Sequence, residues 1–428
     1  MSLNEAQQWL IDFGRSFLLE QAQKQRAGLS QVQQALLQQQ IEWRRRSRFR
    51  FPQPDLWLWS DRSLSQASDW LSACFKASLF PPSVLAVDGC CGAGVDTAAL
   101  ALRGPTIAVD EDPWMAALAK SNAASHGQQI KSFAEPLTKA SLRDAQWMHA
   151  DPDRRPGNVK TLEADEFTPA IEQLVQMLEG LEGGIIKIAP ATRLSPDMNS
   201  WVSENCTRVW IGSFGECRQQ LLLYGQARVS ECLRRMFAVS IPHESVTQEF
   251  PSNQPGVRMA AVLCPTDSAS AQSFKYKHHT ENPIASFRAE LFARAEEEAE
   301  DVDVDEEVGE YVYDLHAVLH ASELHESWAA ERGLAAITDA RGYFTSDHAI
   351  DSPMAQCFQV IEVVSMDDRK LRKWLRSQNA GNVEIKCRLH TLDASALQRR
   401  YSSDLGDPMT LLVTRFGDRI RAIACRRM

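Results

Sequence analysis

The chain has 428 residues, 44% hydrophobic and 24% charged, which is enough to bury the cores of two or three domains. No stretch approaches about eighteen uninterrupted apolar residues, and the start MSLNEAQQWL lacks a basic-then-apolar leader, so a cytoplasmic protein without a membrane span is expected. The formal net charge of -10 argues against a nucleic-acid partner only until its distribution is read: carboxylates crowd Glu296 to Glu310, while the chain beyond Asp367 turns basic.

Residues 1–80 read as helical. Leu3, Leu10, Phe13, Phe17 and Leu18 recur at helical spacing, as do Leu29, Val32, Leu36 and Leu37 behind a cap at Ser30. The apolar period runs on through the glutamines between Gln31 and Gln40, which predicts helix rather than disorder. The next run, Trp43 to Phe51, is basic and aromatic, with Trp57 and Trp59 behind it. It offers either a stacking and phosphate-binding surface for RNA over Arg44–Arg50, or a solvated arginine face whose aromatics pack in a core.

Pro81-Pro82 opens an α/β domain predicted over 81–264. A short apolar run, Val84–Val87, ends at Asp88; a turn then carries Gly89, Gly92 and Gly94, and a helix follows from Val95, with Asp96 and Thr97 available as caps. Strand, glycine turn and helix form the entry to a doubly wound fold, whose ligand lies at the carboxyl ends of the strands. The glycines permit positive φ and close backbone approach. A second strand, Thr106–Val109, ends at Asp110, about 20 residues past the turn, where a carboxylate can take both ribose hydroxyls of a nucleoside. A dinucleotide site wants G-x-G-x-x-G, but Thr97 stands at the third glycine position. The pattern fits D-x-x-x-G-x-G better, Asp88 through Gly94, with Cys90 where many RNA methyltransferases carry Phe. That arrangement indicates S-adenosylmethionine as cofactor.

Further strands are expected at Gln129–Phe133, Trp147–Ala150, Ile185–Ile188, Arg208–Ile211 and Leu221–Tyr224, with a helix over Glu163–Leu181 and a hairpin of Met236–Ser240 with Arg258–Leu263. The strand ending at Ala150 delivers Asp151-Pro152-Asp153-Arg154-Arg155 into the same crevice. Residues 265–310 read as a polar, acidic linker, partly disordered. Residues 311–428 read as a small α/β unit, with helices at Leu315–Ala330 and Asp368–Gln378 and strands at Phe358–Val364, Val383–Leu389 and Thr410–Phe416. His316, His320 and His325 lie on or near one helix without an H-E-x-x-H pattern, and the ten cysteines contain no C-x-x-C pair, so no metal site is expected and the thiols read as reduced.

The likeness to a known family rests on Asp88–Asp96 (DGCCGAGVD), Val109–Pro113 (VDEDP), Asp151–Arg155 (DPDRR), Lys187–Pro190 (KIAP) and Gly215-Glu216-Cys217, and in the last domain on Phe344-Thr345-Ser346, Glu384-Ile385-Lys386 and Leu412–Arg415. On these residues the chain resembles, over nearly its whole length, class I S-adenosylmethionine-dependent methyltransferases with a C-terminal THUMP-like domain. The D-P-x-R-R element is the most specific; in the glycine turn Val95 departs from the last glycine of C-C-G-I-G-G-D. The resemblance implies an α/β, Rossmann-like seven-stranded domain with an antiparallel last pair, between the helical N-terminal region and the THUMP-like domain. It implies in-line methyl transfer to an RNA base, at an amine or ring nitrogen. A small-molecule or protein methyltransferase, or a non-catalytic S-adenosylmethionine-sensing RNA-binding protein, stand as alternatives.

On the same basis the cofactor would meet Asp88, Gly89, Cys90, Gly92, Gly94, Asp110 and Glu135: Asp88 near the methionine ammonium, Asp110 on the ribose, Glu135 at the adenine amine. Asp151, Pro152, Arg154 and Arg155 would form the catalytic set. Asp151-Pro152 matches the acceptor half of an amino-methyltransferase motif, and the two arginines stand where an aromatic is expected. They either hold a phosphate or stack on a base, or else pair with Asp151 or Asp153. Lys187 either approaches substrate or serves as a buried ion-pair partner. RNA is the expected partner, through Arg44–Arg50 and the basic C-terminal domain, because THUMP domains bind RNA.

Overall fold

A computed structural model of the chain describes residues 3–18, 28–51, 53–155, 159–240, 256–265, 287–295, 302–305, 307–338, 342–389 and 392–428. Its N-terminal part is helical as the spacing predicts: α1 (Glu5–Trp9), a π-turn (Leu10–Gly14), α2 (Arg15–Phe17), α3 (Gln31–Ser47), α4 (Asp61–Gln66) and α5 (Trp70–Ser78). Ser30 caps α3 by accepting the Gln33 N–H at 3.3 Å, and the helix runs through the glutamines.

The basic-aromatic run is used internally only in part. Phe51, Trp57 and Trp59 are fully buried and pack ring on ring, with centroids 4.7–5.8 Å apart. The Arg44 guanidinium donates to the Trp57 carbonyl at 3.0 Å, Arg50 donates to that of Ala67 at 2.7 Å, and Arg45 pairs with Glu42. The expectation of an aromatic stacking surface is corrected for Phe51, Trp57 and Trp59, whose rings gain more from burial and whose carbonyl neighbours are satisfied by Arg44 and Arg50, while Arg45, Arg46, Arg48 and Phe49 stay exposed.

The fold divides into one unit of Met1–Phe214 and Arg218–Leu291 and another of Gly215–Cys217 and Phe292–Met428. In the first, β1 (Ala86–Gly89) is flanked by parallel β2 (Thr106–Asp110) and β4 (Trp147–Ala150); β3 (Lys131–Ala134) lies outside β2 and β5 (Gly183–Ile188) outside β4. Next come β6 (Cys206–Ser213), β7 (Glu216–Gly225), β8 (Val257–Pro265) and β9 (Phe287–Ala295). The order is β3-β2-β1-β4-β5-β7-β6-β8-β9, with β7 antiparallel to β5. Strand order reverses between β1 and β4, which opens a crevice at their carboxyl ends. β1 and β4 are buried throughout, as parallel strands covered on both faces must be.

All seven expected strands are present, and two more extend the sheet. Arg258–Leu263 lies in β8, which pairs in parallel with β6. Its expected hairpin partner, Met236–Ser240, is helical instead, the end of the helix Glu231–Ser240. The helix expected over Glu163–Leu181 is broken into a 3-10 turn at Ala164–Glu166 and an α-helix at Ile171–Leu178, parted where the Thr168 backbone pairs with Asp153. Within the stretch expected as linker, Phe287–Ala295 forms a strand that buries Phe287, Leu291, Phe292 and Ala293. The linker's polar parts at 266–286 and 296–301 lie outside the described residues.

The second unit holds an eight-stranded sheet: β10 (Val304–Asp305), β11 (Tyr311–Leu315), β12 (Ala335–Ile337), β13 (Phe344–Ser346), β14 (Ala355–Ser365), β15 (Ala380–Cys387), β16 (Asp407–Phe416) and β17 (Arg419–Arg427), ordered β10-β12-β13-β11-β14-β17-β16-β15. Lys386 on β15 donates to Asp314 on β11 at 2.7 Å although three strands separate them in the sheet, so the sheet is strongly curled. The helix expected over Leu315–Ala330 is two, Ala317–Ala321 and His325–Glu331, parted at Glu323, whose φ is +61°. His316 caps the first, its Nδ1 accepting the Val318 N–H at 3.1 Å. Burial holds His316 down at about 4 and His320 at about 3, so both imidazoles are neutral at physiological pH. Among the described residues no helix is long and apolar enough to cross a membrane, and no group of three metal-ligating side chains forms.

Candidate active site

β1 ends in a turn where Cys90, Gly92 and Gly94 have φ of +56°, +53° and +79°. Gly94 caps the helix Val95–Ala101, and a Cβ there would fall 2.6 Å from Ala119 Cα on the helix Pro113–Ser125. Glycine is what allows these two helices to touch. At Gly92 a Cβ would meet nothing within 4 Å, so the turn faces open space at the crevice. Asn122 fixes the turn from behind, donating at 2.9 Å to the carbonyls of Ala93 and Leu58. Asp96 and Thr97 do not cap the helix as expected, because its cap is Gly94. Asp96 pairs with Lys76 at 2.6 Å and Thr97 donates to Asp88.

Asp110 lies at the end of β2, where the sequence places it. Its carboxylate accepts the Gly92 N–H at 2.9 Å and the Asp112 N–H at 3.0 Å, tying the second strand to the glycine turn. Burial, reinforced by the charges of Asp112 and Glu111, pushes its pKa up to about 6 despite those two bonds. Glu135 is its neighbour across the sheet, its N–H donating to the Asp110 carbonyl at 3.0 Å. The Glu135 carboxylate also receives Arg143 at 3.0 Å.

Asp88 is placed differently from its expected role near the methionine ammonium. It is fully buried, with one oxygen 2.7 Å from His149 Nδ1 and the other taken by the Thr97 hydroxyl. It locks β1, β4 and the helix behind the turn, with both of its carboxylate oxygens engaged in the interior. Cys90 does sit at the turn; burial, then the charges of Asp110, Asp151 and Asp88, push its thiol well up and keep it protonated.

The loop after β4 brings in Asp151, whose N–H donates to the Gly89 carbonyl at 3.2 Å. Its carboxylate forms an ion pair with Lys187 from β5. Pro152 is buried. Asp153 exchanges both backbone hydrogen bonds with Thr168 at 2.9 Å and pairs with Arg62 from α4. Lys187 is an ion-pair partner, and both aspartates of the loop are engaged by other cations. Arg154 and Arg155 are half-buried, and among the described residues neither guanidinium has a partner.

Behind this loop lies a second buried pair. Lys76 on α5 is 1% exposed, 2.6 Å from Asp96 and 2.9 Å from Ser68 Oγ. Burial lowers the Lys76 pKa; for Asp96 burial acts upward, but the Lys76 and His149 charges outweigh it and hold the carboxyl well below the usual range. Lys76, His149, Arg62 and Asn122 were not among the residues read from the sequence. For Lys76 a signal existed: it is a lone charge in the apolar run SACFKASLF.

Comparison with known proteins agrees with this geometry. Residues 355–427 match the family described as THUMP domain-like. Two proteins of Mycobacterium tuberculosis, from strains CDC 1551 / Oshkosh and ATCC 25618 / H37Rv, are each 24% identical over 375 residues, covering 86% of this chain and 89% of theirs; both are described as uncharacterized S-adenosylmethionine-dependent methyltransferases. A crystal structure from Porphyromonas gingivalis W83, solved as a candidate methyltransferase, superposes with a TM-score of 0.66 at 17% identity, both chains covered in full. In fold over its length, in sequence over most of it and by the match at its C-terminus, the chain is similar to S-adenosylmethionine-dependent methyltransferases with a C-terminal THUMP-like domain.

Proposed function

We propose that the chain transfers the methyl group of S-adenosylmethionine to RNA. The observation that carries this reading is the meeting, at the carboxyl ends of β1, β2 and β4, of an Asp110-tied glycine turn with an Asp151 loop whose two arginines carry no partner among the described residues. The cofactor fits the first half. The open space at Gly92 admits it against bare backbone, and the remaining lone pairs of Asp110 suit ribose hydroxyls. Glu135, beside Asp110, would receive the adenine amine. When bound, the cofactor supplies an activated methyl on a sulfonium.

The chain's own residues then have a positional task. In-line displacement needs the acceptor held against the methyl, and such orientation can realise ~7–11 kcal/mol of a barrier. Asp151, held by Lys187, would orient the acceptor, and Arg154 and Arg155 suit phosphates, which guanidinium groups take bidentately. The THUMP-like unit adds a helix, Asp368–Ser377, on which Arg369, Lys370, Lys373 and Arg376 are exposed and without acidic partners among the described residues. Such a face tracks a phosphate backbone.

Radiolabelled cofactor incubated with total RNA, protein extract and metabolites tests the reading. Label is expected in RNA; label in protein or a metabolite supports the small-molecule or protein alternative, and binding without transfer supports a sensing role. Asp110→Ala is expected to weaken cofactor binding, whereas Asp151→Ala spares binding and stops transfer. Equal loss of binding in both variants would refute this division of roles.

A further inference from the structure

We infer that single-stranded RNA reaches the candidate site along a ridge formed by the exposed end of α3, the start of α4 and the loop after β4, with one base stacked on Phe49. The inference rests on the RNA-methylation reading and deepens it, naming the form of the RNA and the path it takes.

The ridge follows from how α3 divides its side chains. Inward, Arg44 donates to the Trp57 carbonyl at 3.0 Å, and the Gln40 amide donates to the Trp59 carbonyl at 2.6 Å and accepts the Trp59 N–H at 2.9 Å. These bonds fix the end of the helix over buried rings. Outward, Arg46, Arg48 and Phe49 are exposed, and Phe49 keeps 44% of its surface in water. The Arg48 guanidinium lies 4.4 Å from the centroid of that ring. A held aromatic face and a cation are thus offered together, the combination that takes an unpaired base and its phosphate.

From there the ridge runs into the site through adjacent residues. Arg46 is 3.9 Å from Asp61 at the start of α4, and the next residue, Arg62, pairs with Asp153 in the loop that carries Asp151. Arg154 and Arg155 follow directly, and the Thr161 N–H donates to the Arg154 carbonyl at 2.9 Å, which brings the exposed Lys160 near them. Arg45 is left out, since Glu42 holds its guanidinium through two bonds of 3.0 Å. Arg48, Arg154, Arg155 and Lys160 have no acidic partner among the described residues. The Arg46–Asp61 contact is long and exposed, worth little in water, and gives way to a phosphate. Stacking on Phe49 selects the single strand, because a duplex presents phosphates and hydroxyls but keeps its base faces stacked inside. A crevice at the ends of strands likewise admits a nucleotide only when it is unpaired.

On the full chain, the fluorescence anisotropy of a labelled oligouridylate and of an RNA duplex of equal length is measured at several salt concentrations. The single strand is expected to bind more tightly. Phe49→Ala should weaken that binding about tenfold and Phe49→Trp should restore it, with cofactor affinity and melting temperature unchanged. Replacing Arg46 and Arg48 together by Gln should flatten the dependence of log affinity on log salt by about 0.7 for each phosphate no longer neutralised. Irradiation of a thiouridine-substituted strand should crosslink it to the segment Arg46–Phe49. A duplex bound as tightly as the single strand, wild-type affinity in Phe49→Ala, or no crosslink in that segment would each overturn the ridge, while methyl label in RNA would leave the methylation reading standing. Absence of methyl label from RNA rejects that reading itself, and the ridge with it.

Discussion

Asp110 accepts two backbone N–H bonds and still titrates at about 6, because burial and the adjacent Glu111 and Asp112 oppose its charge. Its folded pKa lies above the unfolded value, so its contribution to stability is complete below about 4 and is lost as pH rises through 6. The difference corresponds to roughly 2–3 kcal/mol held against the ionised fold. Asp110→Asn is therefore expected to raise the melting temperature, relative to wild type, more at pH 7.5 than at pH 5, which thermal scans at the two values measure directly. Cofactor affinity runs the other way. The ionised carboxylate is the better acceptor for ribose hydroxyls, so wild-type affinity is expected to weaken as pH falls below 6, and the variant should be weak throughout. On its proposed role, one carboxylate costs stability at neutral pH for the sake of binding, as functional sites commonly do.

At the scale of elements, the glycine turn separates folding from binding within three residues. Gly94 is where two helices meet, with Ala119 Cα 2.6 Å from any added Cβ; Gly92 faces open space. Both have positive φ. Gly94→Ala combines a left-handed alanine with overpacking and should destabilise by about 2–4 kcal/mol in urea titrations. Gly92→Ala carries only the backbone penalty, about 1–2 kcal/mol. It should nevertheless lose cofactor affinity by calorimetry, because its methyl projects where the ligand is proposed to lie. Unimpaired binding in Gly92→Ala would mean that the cofactor does not approach that face. The same turn shows why residues 1–80 are not an appendage: Asn122 joins Ala93 to Leu58, Arg62 holds the Asp153 loop, and Lys76 holds Asp96.

For the whole molecule, the net charge of -10 conceals an acidic run at Glu296–Glu310 and a basic C-terminal unit. The helix Asp368–Ser377 is strongly amphipathic: Leu371 and Leu375 are buried, and its basic side chains are solvated. If it tracks RNA, replacing Arg369, Lys370, Lys373 and Arg376 together by Gln should flatten the dependence of log affinity on log salt by about 0.7–0.9 for each phosphate the helix had neutralised. Because all four are exposed, the melting temperature should hold. Binding measured on the full chain at several salt concentrations checks this; an unchanged slope would remove the helix from the RNA-binding surface.

Local pattern carried much of this protein. A four-residue apolar run, a glycine turn and an acid at the next strand's end were enough to place β1, β2, Gly92, Gly94 and Asp110, because backbone conformation and strand alternation are written in neighbouring residues. The same pattern could not say which way Asp88 points, since either side of the turn accepts a carboxylate, and only packing against His149 and Thr97 turned it inward. Nor could it tell which rings of the stretch Trp43–Trp59 face a core, where burial turned Phe51, Trp57 and Trp59 inward and left Phe49 exposed. Charge pairing was least legible of all. Lys187 meets Asp151, Arg62 meets Asp153 and Lys76 meets Asp96 only after strands and helices distant in sequence are brought together. Those pairings, which leave Arg154 and Arg155 without partners among the described residues, were settled by the tertiary fold, because an ion pair depends on distance in space and sequence spacing does not encode it.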